Sequence, residues 1–365
     1  TIRVRARVEG IILAAFDVDD DGIHNTDLAS CAASQGWDGI AIYSNCNAGF
    51  EARLEAPCGT TGELCCPGAN ACQGSIEACL NDHCVVTDVP TLDYIGRWPK
   101  NADRDWVADG LQGVATNGVH WFFSTTHHIW KVYKNGLDTS WAVGHFSGFP
   151  DAMPDEVNHY GGMDFHDGVL WVAFESIGEP EKRPKGIAAF DEDLNFIDYV
   201  ALPQGTNQSW VAINPVDGLL YTSSYASDVS ALQAYSIYWG SGQNLSLTRV
   251  HTLPLQGIED GVPSIQGGDF SANGNLYLAG DTDGAGLWVF DAAGMLRGTY
   301  EVPADQGFPS YHEIEGLVIW DTDTPSGFDS DHANRGQIHV LRRDHEWGDD
   351  QIDFMHFRAS NLVGL

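Results

Sequence analysis

Hydrophobic and polar positions between Asp105 and Ala359 follow one order again and again: a turn dipeptide, then a short apolar run. Four copies read Asn117-Gly118-Val119-His120-Trp121, Asp167-Gly168-Val169-Leu170-Trp171, Asp217-Gly218-Leu219-Leu220-Tyr221 and Asn273-Gly274-Asn275-Leu276-Tyr277. A weaker fifth is Arg335-Gly336-Gln337-Ile338-His339, so the glycines step by 50, 50, 56 and 62 residues. Asn-Gly or Asp-Gly ahead of an apolar run predicts a tight hairpin in which both central residues take positive φ. Hairpins recurring at roughly 40–50 residues predict the blades of a β-propeller, with a β-sandwich of coincidental spacing as the rival.

The pattern extends to both sides of each hairpin. Gly161-Gly162-Met163-Asp164-Phe165 has a twin in Gly267-Gly268-Asp269-Phe270-Ser271, and Trp210–Asn214 and Glu315–Ile319 fill the same place elsewhere. These read as inner strands, where paired glycines suit a crowded axis. Gly186–Asp191 and Gly286–Asp291 read as third strands, with Phe196–Leu202 and Arg297–Val302 as fourth. The last unit offers only Glu313–Trp320, Gln337–Arg342 and Gln351–Arg358; Leu92–Trp98, ahead of the first unit, is expected to complete it and join the ends of the ring. The fold class is therefore all-β, a propeller of about five four-stranded blades over residues 91–365, behind a small disulfide-rich calcium-binding module over residues 1–90. Six blades are the alternative if the insert 303–312 hides strands.

Composition narrows the function. With 365 residues and 43% apolar positions, the chain can bury a substantial core. Its 51 acidic against 18 basic residues leave a formal charge of −33, which excludes nucleic acid as the expected partner, since phosphate binding needs clustered Lys and Arg. It fits cation binding, a saline or calcium-containing medium, or solubility. Without a run of eighteen apolar residues, no membrane span is expected. The eight cysteines, Cys31, Cys46, Cys58, Cys65, Cys66, Cys72, Cys79 and Cys84, crowd one stretch. Their even number and short spacings predict disulfides and a secreted, extracellular protein, with unspecified connectivity; the Cys65-Cys66 adjacency weakens a zinc reading.

Ahead of them, Asp17-Val18-Asp19-Asp20-Asp21-Gly22-Ile23-His24-Asn25 places acids at the first, third and fifth positions of a loop and glycine at the sixth. Asp17, Asp19, Asp21, the Ile23 carbonyl, Asn25 and Asp27 form a candidate calcium-ligand set. Leu28 stands where an EF-hand carries its bidentate Glu. The stretch is similar to the calcium repeats of thrombospondin type 3 and dockerin-like modules, and Cys58–Cys84 resembles the small Cys-rich modules of secreted bacterial surface proteins. The alternating Thr1–Val8, with Arg3, Arg5 and Arg7 on one face, reads as a strand that either pairs within its own domain or adds to a neighbouring copy, giving a homo-oligomer or fibre.

Counting back from the hairpins, one polar residue per blade falls at the channel: Asp109, His159, Gln208 or Ser209, Gln266 and Glu313, with His312 and Glu315 beside them. Such a ring suits a metal or a water cluster. Trp141, His145, Phe146, Phe149 and His159 suggest an aromatic-rimmed pocket. Nucleophile-elbow, zinc-protease, phosphate-loop and dinucleotide motifs are all missing. The leading expectation is a secreted, calcium-stabilised propeller acting as a binding, adhesion or assembly module at the cell surface, for a carbohydrate or protein ligand. The alternative is a metal-dependent extracellular hydrolase or lyase at the channel, built on His159, His312, Glu313 and Glu315.

Overall fold

The computed structural model describes residues 2–8, 11–18, 40–44, 50–54, 77–80, 83–86, 91–97, 110–134, 142–177, 184–203, 209–241, 244–280, 286–303, 312–322, 336–346 and 349–360. Among the described residues, six strands form three hairpins before the propeller. Strands β1 (Ile2–Val8) and β2 (Ile11–Val18) pair antiparallel, with Arg3 opposite Asp17. Strands β3 (Ile40–Ser44) and β4 (Phe50–Leu54) form the second hairpin; β5 (Glu77–Leu80) and β6 (His83–Val86) form the third, with Cys79 opposite Cys84. The N-terminal strand thus pairs within its own chain. Of the calcium-loop residues only Asp17 is described, in β2; Asp19, Asp21, Ile23, Asn25 and Asp27, and the cysteines other than Cys79 and Cys84, lie outside the described residues.

Strand β7 (Thr91–Arg97) then leads into five four-stranded sheets. Blade 1 comprises β8 (Leu111–Thr116), β9 (His120–Thr125), β10 (His128–Tyr133) and β11 (Gly144–Ser147). Blade 2 comprises β12 (His159–His166), β13 (Val169–Glu175), β14 (Lys185–Asp191) and β15 (Phe196–Ala201). Blade 3 follows with β16 (Ala212–Ile213), β17 (Leu220–Thr222), β18 (Ala231–Trp239) and β19 (Leu245–Pro254). Blade 4 has β20 (Ile265–Phe270), β21 (Leu276–Gly280), β22 (Leu287–Phe290) and β23 (Leu296–Tyr300). In blade 5, β24 (His312–Ile319), β25 (Ile338–Glu346) and β26 (Asp349–Ser360) are completed by β7, which pairs with β26 from Thr91↔Ser360 to Arg97↔Met355. The chain closes its own ring. The protein is a five-bladed β-propeller, as the repeat predicts.

Its middle strands are apolar almost without interruption because each blade is covered on both faces. Along β13, Leu170, Val172 and Phe174 pack towards blade 1, while Trp171 and Ala173 pack towards blade 3. Successive side chains point to opposite faces of a strand, so a run apolar at every position marks a sheet buried on both sides. Each pair of neighbouring blades shares one such cluster. The joint between blades 5 and 1 centres on Trp121, which meets Trp320 edge-on at 4.4 Å and Phe354 at 5.2 Å.

The hairpins differ from expectation in one respect. Asp167 and Gly168 both take positive φ, at 49° and 81°, but at the other three only the glycine does. There Asn117 and Asp217 stay in ordinary backbone and accept hydrogen bonds through their side chains, Asn117 Oδ1 from the Val119 and His120 amides and Asp217 Oδ1 from Leu219. Side-chain capping of the turn replaces left-handed backbone.

At the axis the glycines bring backbones into contact. A Cβ on Gly113 would sit 2.7 Å from the Gly162 Cα, one on Gly267 2.8 Å from the Gly316 Cα, and one on Gly316 3.0 Å from the Gly113 Cα. Gly162 also faces the Gln266 carbonyl of blade 4, where a Cβ would come within 2.9 Å, so blades 2 and 4 meet across the centre. Backbones crowd the axis at this level. On one side lies a cup at the hairpin end, and on the other side stand the starts of the inner strands.

The hairpin-end cup, about 170 Å³, holds Asp164 and Asp269. Each locks its blade to the next: Asp164 Oδ2 accepts the Ile213 amide at 2.7 Å, and Asp269 Oδ2 accepts Ile319 at 2.7 Å. Burial raises both pKa values, and for Asp269 the charge of Asp164 adds to it. A carboxyl whose folded pKa exceeds its unfolded value holds its proton more tightly when folded. These two carboxyls should therefore contribute stability as pH falls towards the ordinary aspartate range and withdraw it on the way back up, against the opposite contribution of any histidine held neutral by burial. Thermal unfolding at stepped pH checks this; Asp164→Asn, which removes the repulsion on Asp269, should flatten the slope even where it lowers the midpoint.

Candidate functional site

Three inner strands carry a β-bulge at the same point, just above the glycine contacts. The register slips between Leu111 and Gly113, between Ile265 and Gly267, and between Ile314 and Gly316. A bulge leaves one residue unpaired and re-aims its side chain. The residues so placed are Gln112, Gln266 and Glu315. In blade 2 the slip falls between Tyr160 and Met163, and His159 supplies the side chain instead.

Gln112, His159 and Glu315 form a chain of contacts. The Gln112 amide turns its NH₂ to Glu315 Oε1 at 3.4 Å, which leaves its oxygen facing His159 Nε2 at 2.9 Å. His159 Nε2 must therefore carry the hydrogen and donate it, leaving Nδ1 as a bare acceptor. That Nδ1 is buried and has no hydrogen-bond partner among the described residues. Burial, followed by the positive potential of His127 and Arg343, depresses the His159 pKa to about 4. The imidazole is neutral at physiological pH.

Arg343, from β25, lies across the same cup. Its Nη1 is 4.0 Å from Glu313 Oε2 and 3.9 Å from Glu315 Oε1, and its guanidinium packs against Gly110, where a Cβ would lie 3.6 Å from Cζ. Blade 3 contributes Ser209, whose hydroxyl donates to the Ile265 carbonyl and so ties blade 3 to blade 4. Gln266 is half-buried at the same level.

The channel residues expected from the sequence thus split. His159, Ser209, Gln266 and Glu313 occupy the inner-strand starts of four blades, and Asp109 lies outside the described residues. His312 opens β24, its side chain outside the described set. Gln112 and Arg343 were not anticipated. Gln112 belongs to a recurrent triplet, Leu111-Gln112-Gly113, Ile265-Gln266-Gly267 and Ile314-Glu315-Gly316, that was available as a signal. Among the described residues the members of the expected aromatic pocket pack elsewhere: Phe149 on Tyr160 at 4.6 Å and Phe146 on Phe190 at 5.1 Å, while His145 stacks on Trp130. Trp141 lies outside the described residues.

A channel cation fits these residues poorly. A guanidinium already faces both carboxylates, Gln112 occupies one His159 nitrogen, and no group of three metal-ligating side chains converges among the described residues. Among the same residues, no helix is long and apolar enough to cross a membrane.

No family model matches the sequence, and no curated protein matches it. The thrombospondin- and dockerin-like resemblance accordingly rests on its own dozen residues. Solved structures are similar in fold. A Xanthomonas campestris gluconolactonase shares 12% identity over 75% of this chain and 92% of its own, with a TM-score of 0.43. An aldose sugar dehydrogenase from Streptomyces coelicolor, solved with PQQ bound, shares 13% over 74% and 98%, TM-score 0.39. Its Escherichia coli counterpart, in the apo form, shares 10% over 73% and 99%, TM-score 0.38. The likeness is one of fold. The three named here are enzymes, whereas the leading expectation from the sequence was a binding, adhesion or assembly module. The enzymatic alternative is the one carried forward.

Proposed function

We propose that this chain is an extracellular hydrolase acting at the inner-strand-start cup, and that it opens reactive esters, with cyclic esters of hydroxylated acids as the preferred class. The observation that carries the reading is the bare, buried Nδ1 of His159, its tautomer fixed through Nε2 by Gln112 and Glu315. The eight clustered cysteines support an oxidising location.

In this reading His159 Nδ1 takes a proton from water as its oxygen adds to the ester carbonyl carbon. The carbonyl oxygen becomes an oxyanion beside the Arg343 guanidinium. The C–O bond to the leaving alcohol then breaks, and the proton passes from His159 to that alkoxide, so water and ester become acid and alcohol. His159 and Arg343 are the catalytic residues; Gln112 and Glu315 position the ring. The weakness of this base points to one substrate class. A base with a pKa of about 4 is fully available at neutral pH but weak. It suffices for a strained or activated ester, which hydroxide already attacks readily, and not for an amide or a glycoside.

The test is pH-stat hydrolysis of a panel of aldonolactones and of 4-nitrophenyl acetate by the full chain. Hydrolysis above the spontaneous rate is expected, with a rate constant flat at neutral pH and falling in acid with a midpoint near 4, where His159 becomes protonated. His159→Gln should lower kcat by about 100-fold. Gln112→Leu should lower it less and move the acid limb, because the ring loses its orienting partner. Full activity in correctly folded His159→Gln would remove the proposal.

A further inference from the structure

A second site lies on the opposite, hairpin face, independent of the hydrolase reading. A cleft of about 490 Å³ opens between blades 2 and 3, within the size range of small-molecule sites. Trp171 and Trp239 belong to its lining and touch one another, their ring centroids 5.8 Å apart and tilted at 42°. Asp167 and Asp217 stand on its rim with His166.

Three observations point to a ligand. Trp171 is only 2% exposed, yet its indole N–H meets no acceptor among the described residues. Buried indole N–H groups normally find a partner, so an unsatisfied one lining a cleft marks a missing acceptor. Asp217 is held in place: its Oδ2 accepts from the Tyr221 hydroxyl at 2.7 Å and from Asn214 at 3.2 Å, and its Oδ1 from the Leu219 amide. Asp167, in the one hairpin with two successive positive φ values, keeps its carboxylate largely exposed, 3.7 Å from His166 Nε2.

We infer that this cleft binds a pyranose ring of a carbohydrate. The partly exposed Trp239 ring accepts the apolar C–H face of a sugar, carboxylates accept from its hydroxyls, and the Trp171 N–H donates to a hydroxyl or ring oxygen. The rival for an aromatic cleft edged with acids is an organic cation. An ammonium brings no acceptor, so it leaves the Trp171 N–H as unsatisfied as before. A sugar, which donates and accepts at once, satisfies both halves of the site.

The experiment titrates the full chain with glucose, galactose, mannose, N-acetylglucosamine and glucuronate, and with choline, by calorimetry and by the indole N–H resonances. Saturable binding of at least one sugar is expected, with a shift of the resonance that Trp171→Phe abolishes. Trp239→Ala should weaken that binding at least about tenfold, and Trp171→Phe, which keeps the packing but deletes the donor, by roughly fivefold. Binding should be unchanged in His159→Gln, which separates this site from the opposite cup. Saturation by choline alone, by none of the sugars, or by a sugar whose affinity neither tryptophan variant alters would each overturn the inference.

Discussion

Gly113→Ala should lower the stability of the propeller by about 3 kcal/mol and its unfolding midpoint by roughly 6–10 °C, although it adds a single methyl group. The added carbon would sit 2.7 Å from the Gly162 Cα and 2.8 Å from the Gly161 carbonyl oxygen, both backbone atoms of the next blade. A side chain in the way can rotate; a strand in the way must move, and Gly161 and Gly162 are themselves packed against Ser209, Trp210 and Gln266. Displacement at one joint is thus passed round the ring. Gly168→Ala is the control. That position has φ of 81° and nothing within 4 Å, so it costs only the strain of left-handed backbone, about 1 kcal/mol. Calorimetric melts of the two variants decide the matter: equal losses would mean that the axis yields and is not a contact of backbone on backbone.

The second large effect concerns closure. A chain starting at residue 91 should keep a cooperative propeller transition, whereas one starting at residue 98 should lose at least 15 °C in midpoint or fail to stay monomeric. The two differ by β7 alone. Its removal strips the paired edge from β26 and uncovers the ring contact between Tyr94 and Phe357, 5.5 Å apart. A bare edge next to apolar side chains is a template for pairing with other chains. Circular dichroism melts with light scattering measure both outcomes. Indistinguishable behaviour would show that blade 5 stands on three strands.

Much of this architecture was legible in the sequence because the repeat is written in local chemistry. Asn-Gly and Asp-Gly before apolar runs fixed the hairpins, and Leu92–Trp98, standing outside the five units, had one place to go. The site was harder to read. Stepping back nine residues from the hairpin glycines reaches His159, Ser209 and, in blade 1, Asp109, which lies outside the described residues, but it passes over Gln112, which holds His159. The reason Gln112 was missed is physical: a bulge inserts a residue into one strand only, so distances along the chain stop measuring distances along the axis. Arg343 escaped for another reason. It lies on the second strand of its blade, opposite Glu313, and only the register of β24 on β25 brings it to the cup. The expected cation has its counterpart in that guanidinium.

The crowded axis also governs how the two faces can relate. Each inner strand writes on both: β12 begins with His159 in one cup and, past its glycines, places Asp164 in the other. Backbones crowd the axis between the two, so each side is reached from the solvent that it faces. Each face is therefore a separate vessel, filled and emptied without reference to its neighbour. Substitutions that reshape the rim of one leave the contents of the other untouched, so this ring can acquire or lose a chemistry on one side while keeping what it does on the other.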